Sequence, residues 1–193
     1  MRQALWRVDT LEKVLYLTFD DGPVPGVTDR VLELLGQYNA KATFFCLGKQ
    51  VHKHPELYAE LQAQGHAVGN HTWNHPSGWK TPNTEYFENV ARCAELVDST
   101  FFRPPYGRIQ RSQLKELSQR YRVVMWDVLS QDYDRKRSPE WCAQAVIRHG
   151  RPGSIVVFHD SIKAQQNALG ALPQVLEHFT REGYGFRVLP ETA

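Results

Sequence analysis

Short runs of apolar residues alternate with amphipathic stretches along the whole chain. Most of these runs are continuously apolar and rich in Val, Ile and Phe, which is typical of strands buried on both faces of a parallel sheet. The predicted strands are Val14–Phe19, Ala42–Leu47, Ala67–Asn70, Phe101–Arg103, Val123–Asp127, Ser154–His159 and Phe186–Leu189. The predicted helices between them are Thr28–Tyr38, Pro55–Gln64, Thr84–Val97, Arg111–Gln119, Pro139–Arg148 and Leu172–Glu182.

Strands that alternate with helices in this way indicate an α/β fold built from parallel βα units. The pattern alone leaves two architectures open, a doubly wound open sheet and a (β/α) barrel with fewer than eight complete units. Residues 1–193 contain no internal repeat, low-complexity segment or linker, so we predict one domain.

Composition and charge exclude several classes of protein. Apolar residues make up 41% and charged residues 23% of the chain, as in soluble globular proteins. A net charge of +2 without long runs of Lys or Arg argues against a nucleic-acid partner. No window approaches the ~18 apolar residues of a membrane span, and the chain as given opens without a signal peptide. The compartment is therefore left open between the cytoplasm and, if a signal was removed, the cell envelope.

Two adjacent carboxylates, Asp20 and Asp21, directly follow the first predicted strand. Neighbouring carboxylates repel each other, and a divalent cation would offset that repulsion. A solvated Asp-Gly turn is the alternative interpretation. The apolar strand that leads straight into the pair favours a functional site, because catalytic groups gather at the carboxyl ends of parallel strands.

Two histidines, His71 and His75, follow the third predicted strand. Their spacing brings both imidazoles to one face of a helical turn or compact loop, where they can share a metal ion. Such a pair is a weak signal by itself. Combined with the carboxylates after the first strand, it supplies an Asp/His/His set, and three protein ligands with an open position are typical of a catalytic metal.

Two further strand ends carry candidate groups. Arg103 can hold a carboxylate through paired hydrogen bonds, and the two prolines that follow can aim the Tyr106 N–H; a rigid surface turn is the alternative. His159 closes a fully apolar strand, and it is either a buried core residue or a general acid/base. Its place beside the other polar strand ends favours the second interpretation.

These segments together resemble the polysaccharide deacetylases of carbohydrate esterase family 4. Five motifs appear in the family's order, the first three closely and the last two loosely matched: Thr18–Pro23, His71–His75, Arg103–Gly107, the Asp127–Tyr133 region and Val157–His159. The resemblance implies a distorted parallel (β/α) barrel, which agrees with the seven predicted strands. It also implies a hydrolase that removes an N-acetyl or other N-acyl group from an amino sugar of a glycan.

The resemblance implies a role for each matched residue. Asp20 would be the general base, oriented by Arg103, and His159 the general acid, tuned by Asp132. One divalent metal ion, zinc first with cobalt, nickel or iron as alternatives, would be held by Asp21, His71 and His75. The Tyr106 N–H would stabilise the oxyanion. The predicted substrate contacts are Thr72, Trp73, Pro105, Tyr106 and Tyr133.

The chain departs from the family pattern at three positions beside the expected substrate. Tyr133 stands where the family usually has tryptophan, Leu129 where it has an aspartate, and Val157 where it has leucine. Tyr133 and the absence of a signal sequence in the chain as given keep a second function open, the deacylation of a small or lipid-linked N-acyl substrate. A non-catalytic glycan-binding relative is a third, less favoured alternative, because no ligand, base or acid is missing.

Overall fold

The computed structural model describes residues 4–191 as a sheet of short strands surrounded by helices. The strands are β1 (Val14–Asp20), β2 (Thr43–Cys46), β3 (Ala67–Asn70), β4 (Phe101–Phe102), β5 (Arg122–Val123), β6 (Val128–Leu129), β7 (Ile155–His159) and β8 (Gly185–Phe186). The helices are α1 (Thr28–Gln37), α2 (Gly48–Lys53), α3 (Pro55–Ala63), α4 (Asn83–Ala94), α5 (Arg111–Leu117), α6 (Pro139–His149) and α7 (Gln165–Arg181). Within residues 4–191 no helix combines the length and apolar character needed to cross a membrane.

The strands form a curled parallel sheet in the order β5-β4-β3-β2-β1-β7-β6, with β8 beside the first residues of β1. Residues 5–7 pair with two separate parts of this sheet. Leu5 forms a bridge with Val124 next to β5, and Arg7 forms one with Ser154 next to β7. The predicted distorted barrel is confirmed as a curled parallel sheet, and residues 5–7 connect the end of β5 with the start of β7.

The central strand β1 is buried along its entire length. Leu15, Leu17 and Phe19 pack into the cluster that β1 shares with the surrounding helices. Tyr16 packs into the smaller cluster inside the curled sheet. Because successive side chains point to opposite faces, burial on both faces produces a continuously apolar sequence. The same alternation directs Asp20, the last residue of β1, to the inside of the barrel.

The segment after β4 differs from its prediction. The predicted strand Val123–Asp127 is much shorter in the structure, because β5 ends at Val123 and the chain then turns; β6, which begins at Val128, was not predicted. Asp127 accepts hydrogen bonds from the Ser154 hydroxyl (3.0 Å) and the Ile155 N–H (2.9 Å), which anchor this turn to the start of β7. Of the carboxylates in the fourth motif, Asp127 therefore supports the sheet and lies away from the candidate site.

Two helices also differ from the prediction. Helix α7 begins at Gln165, well before Leu172, and contains Pro173. The short helix α2 has no predicted counterpart. The longer α7 matters for the site, because its first turn lies beside the loop that follows β7.

Candidate active site

A cleft of about 480 Å³ opens at the carboxyl ends of the strands. Thirteen residues line it: Asp20, Asp21, His71, His75, Tyr106, Arg108, Trp126, Leu129, Tyr133, Val157, His159, Ser161 and Lys163. Most of the predicted site residues are in this set. The structure thus brings together groups that are up to about 140 positions apart in the sequence, because parallel strands end at one edge of the sheet.

Asp21, His71 and His75 form a cluster whose potential ligand atoms lie within 4.8 Å of one another. The Asp21 Oδ1 atom is 3.4 Å from His75 Nε2 and 3.9 Å from His71 Nε2. Among the described residues, this buried oxygen has no hydrogen-bond donor. A buried carboxylate oxygen without a hydrogen-bond donor raises the free energy of the folded state, and a bound cation would offset that cost. One carboxylate and two imidazoles therefore fit a catalytic divalent metal ion.

The loop after β3 aims both imidazoles, and Thr72 holds its shape. Thr72 and His75 adopt left-handed backbone conformations, with φ of 71° and 68°. The Asn70 side chain accepts the Thr72 N–H (2.8 Å), and the Thr72 hydroxyl accepts the His75 N–H (3.1 Å). Thr72 is fully buried and has no surface to offer a substrate. The predicted substrate contact at Thr72 is therefore corrected to a positioning role for His75.

The protonation states of the two histidines suit metal binding. His71 Nδ1 lies 2.8 Å from the main-chain oxygen of Arg103. A carbonyl oxygen can only accept, so Nδ1 carries a proton and Nε2 is the ring nitrogen that faces Asp21. Burial, reinforced by the neighbouring His71, lowers the pKa of His75 to about 4. At neutral pH the His75 ring is therefore uncharged, the form that a metal ion requires.

Asp20 is paired with a fully buried arginine. Arg103 Nη1 donates to Asp20 Oδ1 (2.7 Å) and to the Thr18 hydroxyl (2.7 Å). Its other nitrogens donate to the main-chain oxygens of Val124 and Met125. Burial alone would raise the pKa of Asp20, but the charge and hydrogen bond of Arg103, together with the charges of His71 and His159, outweigh burial and hold the pKa below its usual value. Asp20 is therefore an ionised carboxylate with one oxygen held in place.

A second ion pair joins His159 to Asp132, which is also fully buried. Asp132 Oδ1 lies 2.7 Å from His159 Nδ1, and Asp132 Oδ2 accepts the His159 N–H at 2.7 Å. Burial by itself would lower the pKa of His159, but the charge and hydrogen bond of Asp132 raise it to about 9. The ring is therefore protonated at neutral pH, and its Nε2 atom is the one left for the cleft.

Asp160 is a buried acid whose role the sequence did not indicate. It follows His159 directly, and its carboxylate accepts the Gly22 N–H (2.9 Å) and the Thr28 hydroxyl (2.7 Å). A Cβ atom at position 22 would lie only 1.9 Å from Asp160 Oδ2, so glycine is required there. Burial raises the pKa of Asp160 to about 7. These contacts hold the turn that presents the two adjacent carboxylates.

The turn after β4 exposes a main-chain donor. Tyr106 has a positive φ of 60°, and the neighbouring N–H groups of Gly107 and Arg108 donate to Pro104 and Pro105. Within residues 4–191 the Tyr106 N–H itself has no acceptor. Its ring is 59% exposed and lies edge-on to the His75 ring, with centroids 4.4 Å apart. This donor is available at the wall of the cleft.

Two predicted substrate contacts lie outside the cleft. The Trp73 ring is covered by the Arg92 guanidinium at 3.9 Å, and Pro105 is buried. Tyr133 does line the cleft, edge-on to the His159 ring with centroids 5.2 Å apart. The lining also includes residues that the sequence analysis did not single out: Trp126, and three residues in loops without a periodic pattern, Arg108, Ser161 and Lys163.

Comparisons with known proteins agree with this geometry. A peptidoglycan-N-acetylglucosamine deacetylase of Bacillus cereus is 34% identical over 96% of this chain and 91% of its own length. A second protein of that name from the same organism is 34% identical, and the match covers 90% of this chain and 66% of that relative's length. The crystal structure of the Bc1960 peptidoglycan N-acetylglucosamine deacetylase superposes with a TM-score of 0.92 at 31% identity, covering 97% of this chain and 91% of the other.

The family model for polysaccharide deacetylases matches residues 7–123, which is more than half of the chain. The matched segment includes the paired carboxylates, both histidines and Arg103. His159 and Asp132 lie beyond it: His159, at the end of β7, lines the same cleft, and Asp132, which follows β6, is buried against it. The chain therefore belongs to the polysaccharide deacetylase family of hydrolases.

Proposed function

We propose that this protein is a metal-dependent N-deacetylase that hydrolyses the acetamide of an N-acetylated amino sugar in a glycan. One observation carries the proposal. A three-ligand cluster, an ionised carboxylate held by Arg103 and a protonated histidine held by Asp132 line one cleft. Hydrolysis of an amide needs an activated carbonyl, a base for the attacking water and an acid for the departing amine, and these groups match the three needs.

The proposed metal ligands are Asp21, His71 and His75. When bound, a divalent ion supplies Lewis-acid polarisation of the acyl oxygen and lowers the pKa of water. This ligand set suits zinc, and cobalt, nickel or iron are alternatives. The unpartnered Asp21 oxygen and the neutral His75 ring support a cation at this position.

Asp20 is the proposed general base. Its Oδ1 atom is engaged by Arg103, whereas Oδ2 lies 3.9 Å from His71 Nε2, beside the ligand cluster. A carboxylate fixed by one oxygen can take a proton through the other without reorganising. Asp20 is thus placed to accept the proton of water that attacks the acetamide carbonyl.

His159 is the proposed general acid. An amine leaves poorly unless it receives a proton, and a positioned acid contributes ~10²–10⁴-fold to such a step. His159 carries a proton at neutral pH because Asp132 stabilises the charged ring. The Tyr106 N–H would stabilise the oxyanion, and one preorganised donor of this kind is worth roughly 3 kcal/mol.

The walls of the cleft suit a small acyl group beside a sugar. Leu129, Val157 and Trp126 provide apolar surface for an acetyl methyl group. Tyr133 provides a ring with a hydroxyl next to His159. The relatives named as peptidoglycan-N-acetylglucosamine deacetylases support an N-acetylglucosamine unit as the substrate.

The proposed function is tested by metal content and acetate release measured on the same samples. Purified wild type should hold about one metal ion per chain and release acetate from N-acetylglucosamine oligomers. Asp21→Ala should lose both, because it removes the only carboxylate of the cluster. Asp98→Ala, which removes an exposed carboxylate elsewhere, is the matched control and should keep both.

Each other result has a definite meaning. Metal without acetate release would keep the metal site and move the reaction to a formyl, small or lipid-linked N-acyl substrate. A protein that binds no metal, even after loading with zinc, cobalt or nickel, would contradict the proposal.

Asp132→Asn should move the alkaline limb of activity to lower pH. The proposed acid works only while His159 is protonated, so activity is present below the pKa of His159 and is lost as the pH rises through it. The negative charge of Asp132 holds that pKa near 9. Removing a charge in direct contact should lower it by about 1–3 units. The pH profile of kcat measures this shift, and an unchanged limb would show that another group sets it.

A further inference from the structure

A second cleft of about 600 Å³ lies next to the active-site cleft. It lies over the first turn of α7, and its lining combines cationic, amide and apolar side chains: Arg135, Arg137, Ile162, Lys163, Gln165, Gln166, Asn167 and Leu169. Three of these are cations, and no carboxylate is among them. The protein as a whole is nearly neutral, with a net charge of +2, so this concentration of positive charge is local.

Lys163 joins the two clefts, since it lines both. Its Nζ atom lies 5.4 Å from the centre of the Tyr133 ring, and that ring contacts His159. A continuous path therefore runs from the proposed general acid, past Tyr133 and Lys163, into the basic cleft. A glycan bound with an acetamide at His159 would have its neighbouring groups close to these cations.

The carboxylates near this cleft are already engaged. Asp132 is buried against His159, and Asp134 lies 3.5 Å from Arg137 Nε. Arg137 also stacks on the Trp141 ring at 3.9 Å, which leaves its position fixed. Among the described residues, Arg135 forms no ion pair. The cleft thus retains uncompensated positive charge from Arg135 and Lys163.

The start of α7 adds to the same field. This helix has 17 residues, no acidic residue in its first turn and no side-chain cap at its N-terminus. Its first main-chain N–H groups, which carry the positive end of the helix dipole, lie under the cleft. The cationic side chains are the main source of the positive potential in this cleft, and the end of the helix adds a smaller positive contribution.

We propose that this basic cleft is a subsite for a carboxylate carried by the glycan next to the acetamide that is hydrolysed. The preferred substrate would then be an acidic amino-sugar polymer rather than a neutral one. Arginine and lysine recognise carboxylates through charge-assisted hydrogen bonds, so loss of one such contact weakens binding measurably. The proposal rests on the deacetylase function proposed above and identifies a class of substrate for it.

The test compares a peptidoglycan tetrasaccharide, which carries carboxylates, with an N-acetylglucosamine tetramer, which is neutral and has the same length. We expect Arg135→Gln to lower the ratio of kcat/KM for the acidic to the neutral substrate about tenfold. Arg135→Lys should keep most of the ratio, because the charge remains. Arg181→Gln removes an exposed charge at the other end of α7 and is the matched control, with the wild-type ratio expected. Added salt should reduce the wild-type preference, since it screens exposed charges.

Two arms distinguish the source of the carboxylate. In the peptide-bearing tetrasaccharide the lactyl carboxyl group is an amide and only the peptide carries free carboxylates, whereas amidase treatment releases the peptide and leaves a free lactyl carboxylate on the sugar. A preference for the peptide-bearing form alone assigns the carboxylate to the peptide, and a preference for the peptide-free form alone assigns it to the sugar. The subsite is contradicted if wild type and Arg135→Gln discriminate equally. Calorimetric binding of the acidic tetrasaccharide to the same variants decides the matter even if neither substrate is hydrolysed. Weaker binding by Arg135→Gln would then support the subsite while the deacetylase function fails, and equal binding would overturn the subsite.

Discussion

Asp20→Asn is expected to lower kcat/KM by about 10²–10⁴-fold while metal content stays near one ion per chain. In the wild type, Arg103 Nη1 donates to Asp20 Oδ1 at 2.7 Å. The amide of asparagine has nearly the same size as the carboxylate and keeps an oxygen that can accept this hydrogen bond. It cannot accept the proton of the attacking water. The loss should therefore appear in catalysis rather than in metal binding, because the ligand cluster consists of Asp21, His71 and His75.

Measurement of the metal and of activity on one preparation separates these roles. Asp21→Ala provides the contrast, since it should lose metal and activity together. If Asp20→Asn loses its metal as well, Asp20 belongs to the ligand set instead of acting as the base. If it keeps both metal and wild-type activity, the assignment of Asp20 as the base is wrong.

Arg103→Met should lower the free energy of unfolding by about 3–5 kcal/mol, because it leaves the buried Asp20 carboxylate without its partner. It also removes a guanidinium that lies 4.0 Å from the centre of the Phe45 ring and donates to two main-chain oxygens. Chemical denaturation of the metal-free proteins measures the loss without a contribution from bound metal. Arg122→Met, which removes a half-buried arginine at β5, is a control with the same change of side chain.

The loss of unfolding free energy caused by Arg103→Met should become larger as the pH rises from acid to neutral. In the wild type, Arg103 holds the pKa of Asp20 below its usual value, so the pair stabilises the fold above the unfolded pKa of ~3.9 and loses this contribution as the pH falls. In the variant, burial is opposed only by the weaker influence of His71 and His159, so we expect the pKa of Asp20 to rise. The contribution of Asp20 to stability is then most favourable at acid pH and declines as the pH rises through the raised pKa.

A second substitution tests whether the unpaired charge of Asp20 causes the lower stability of Arg103→Met. Arg103→Met combined with Asp20→Asn removes both charges of this pair and should be more stable than Arg103→Met alone at pH 7, since neither position then leaves an unpaired buried charge. If the double variant is no more stable, packing rather than the unpaired charge explains the loss.

Much of this architecture could be predicted from the sequence because it follows from local pattern. The continuous apolar runs predicted buried parallel strands, and the polar residues directly after them predicted a site at one edge of the sheet. That reasoning works for Asp20, Asp21, His71 and His159, because parallel strands all present their carboxyl ends to the same side. The specific motifs then indicated the family, which the comparisons confirm.

Other features depend on contacts between distant segments, which no local pattern encodes. Asp127 and Asp132 look alike in the sequence, yet one anchors the start of β7 and the other is buried against His159. The predicted catalytic and ligand roles remain predictions for the variants to test.

The sequence by itself determined the alternation of strands and helices, the family and the polar residues that follow the main strands. Only the tertiary structure decided that Thr72 supports a loop and that Asp160 holds the Gly22 turn. It alone shows that Lys163 lies between two clefts. The physical reason is that residue type and periodicity report whether a side chain is buried, whereas its partner is chosen by packing between segments far apart in the chain.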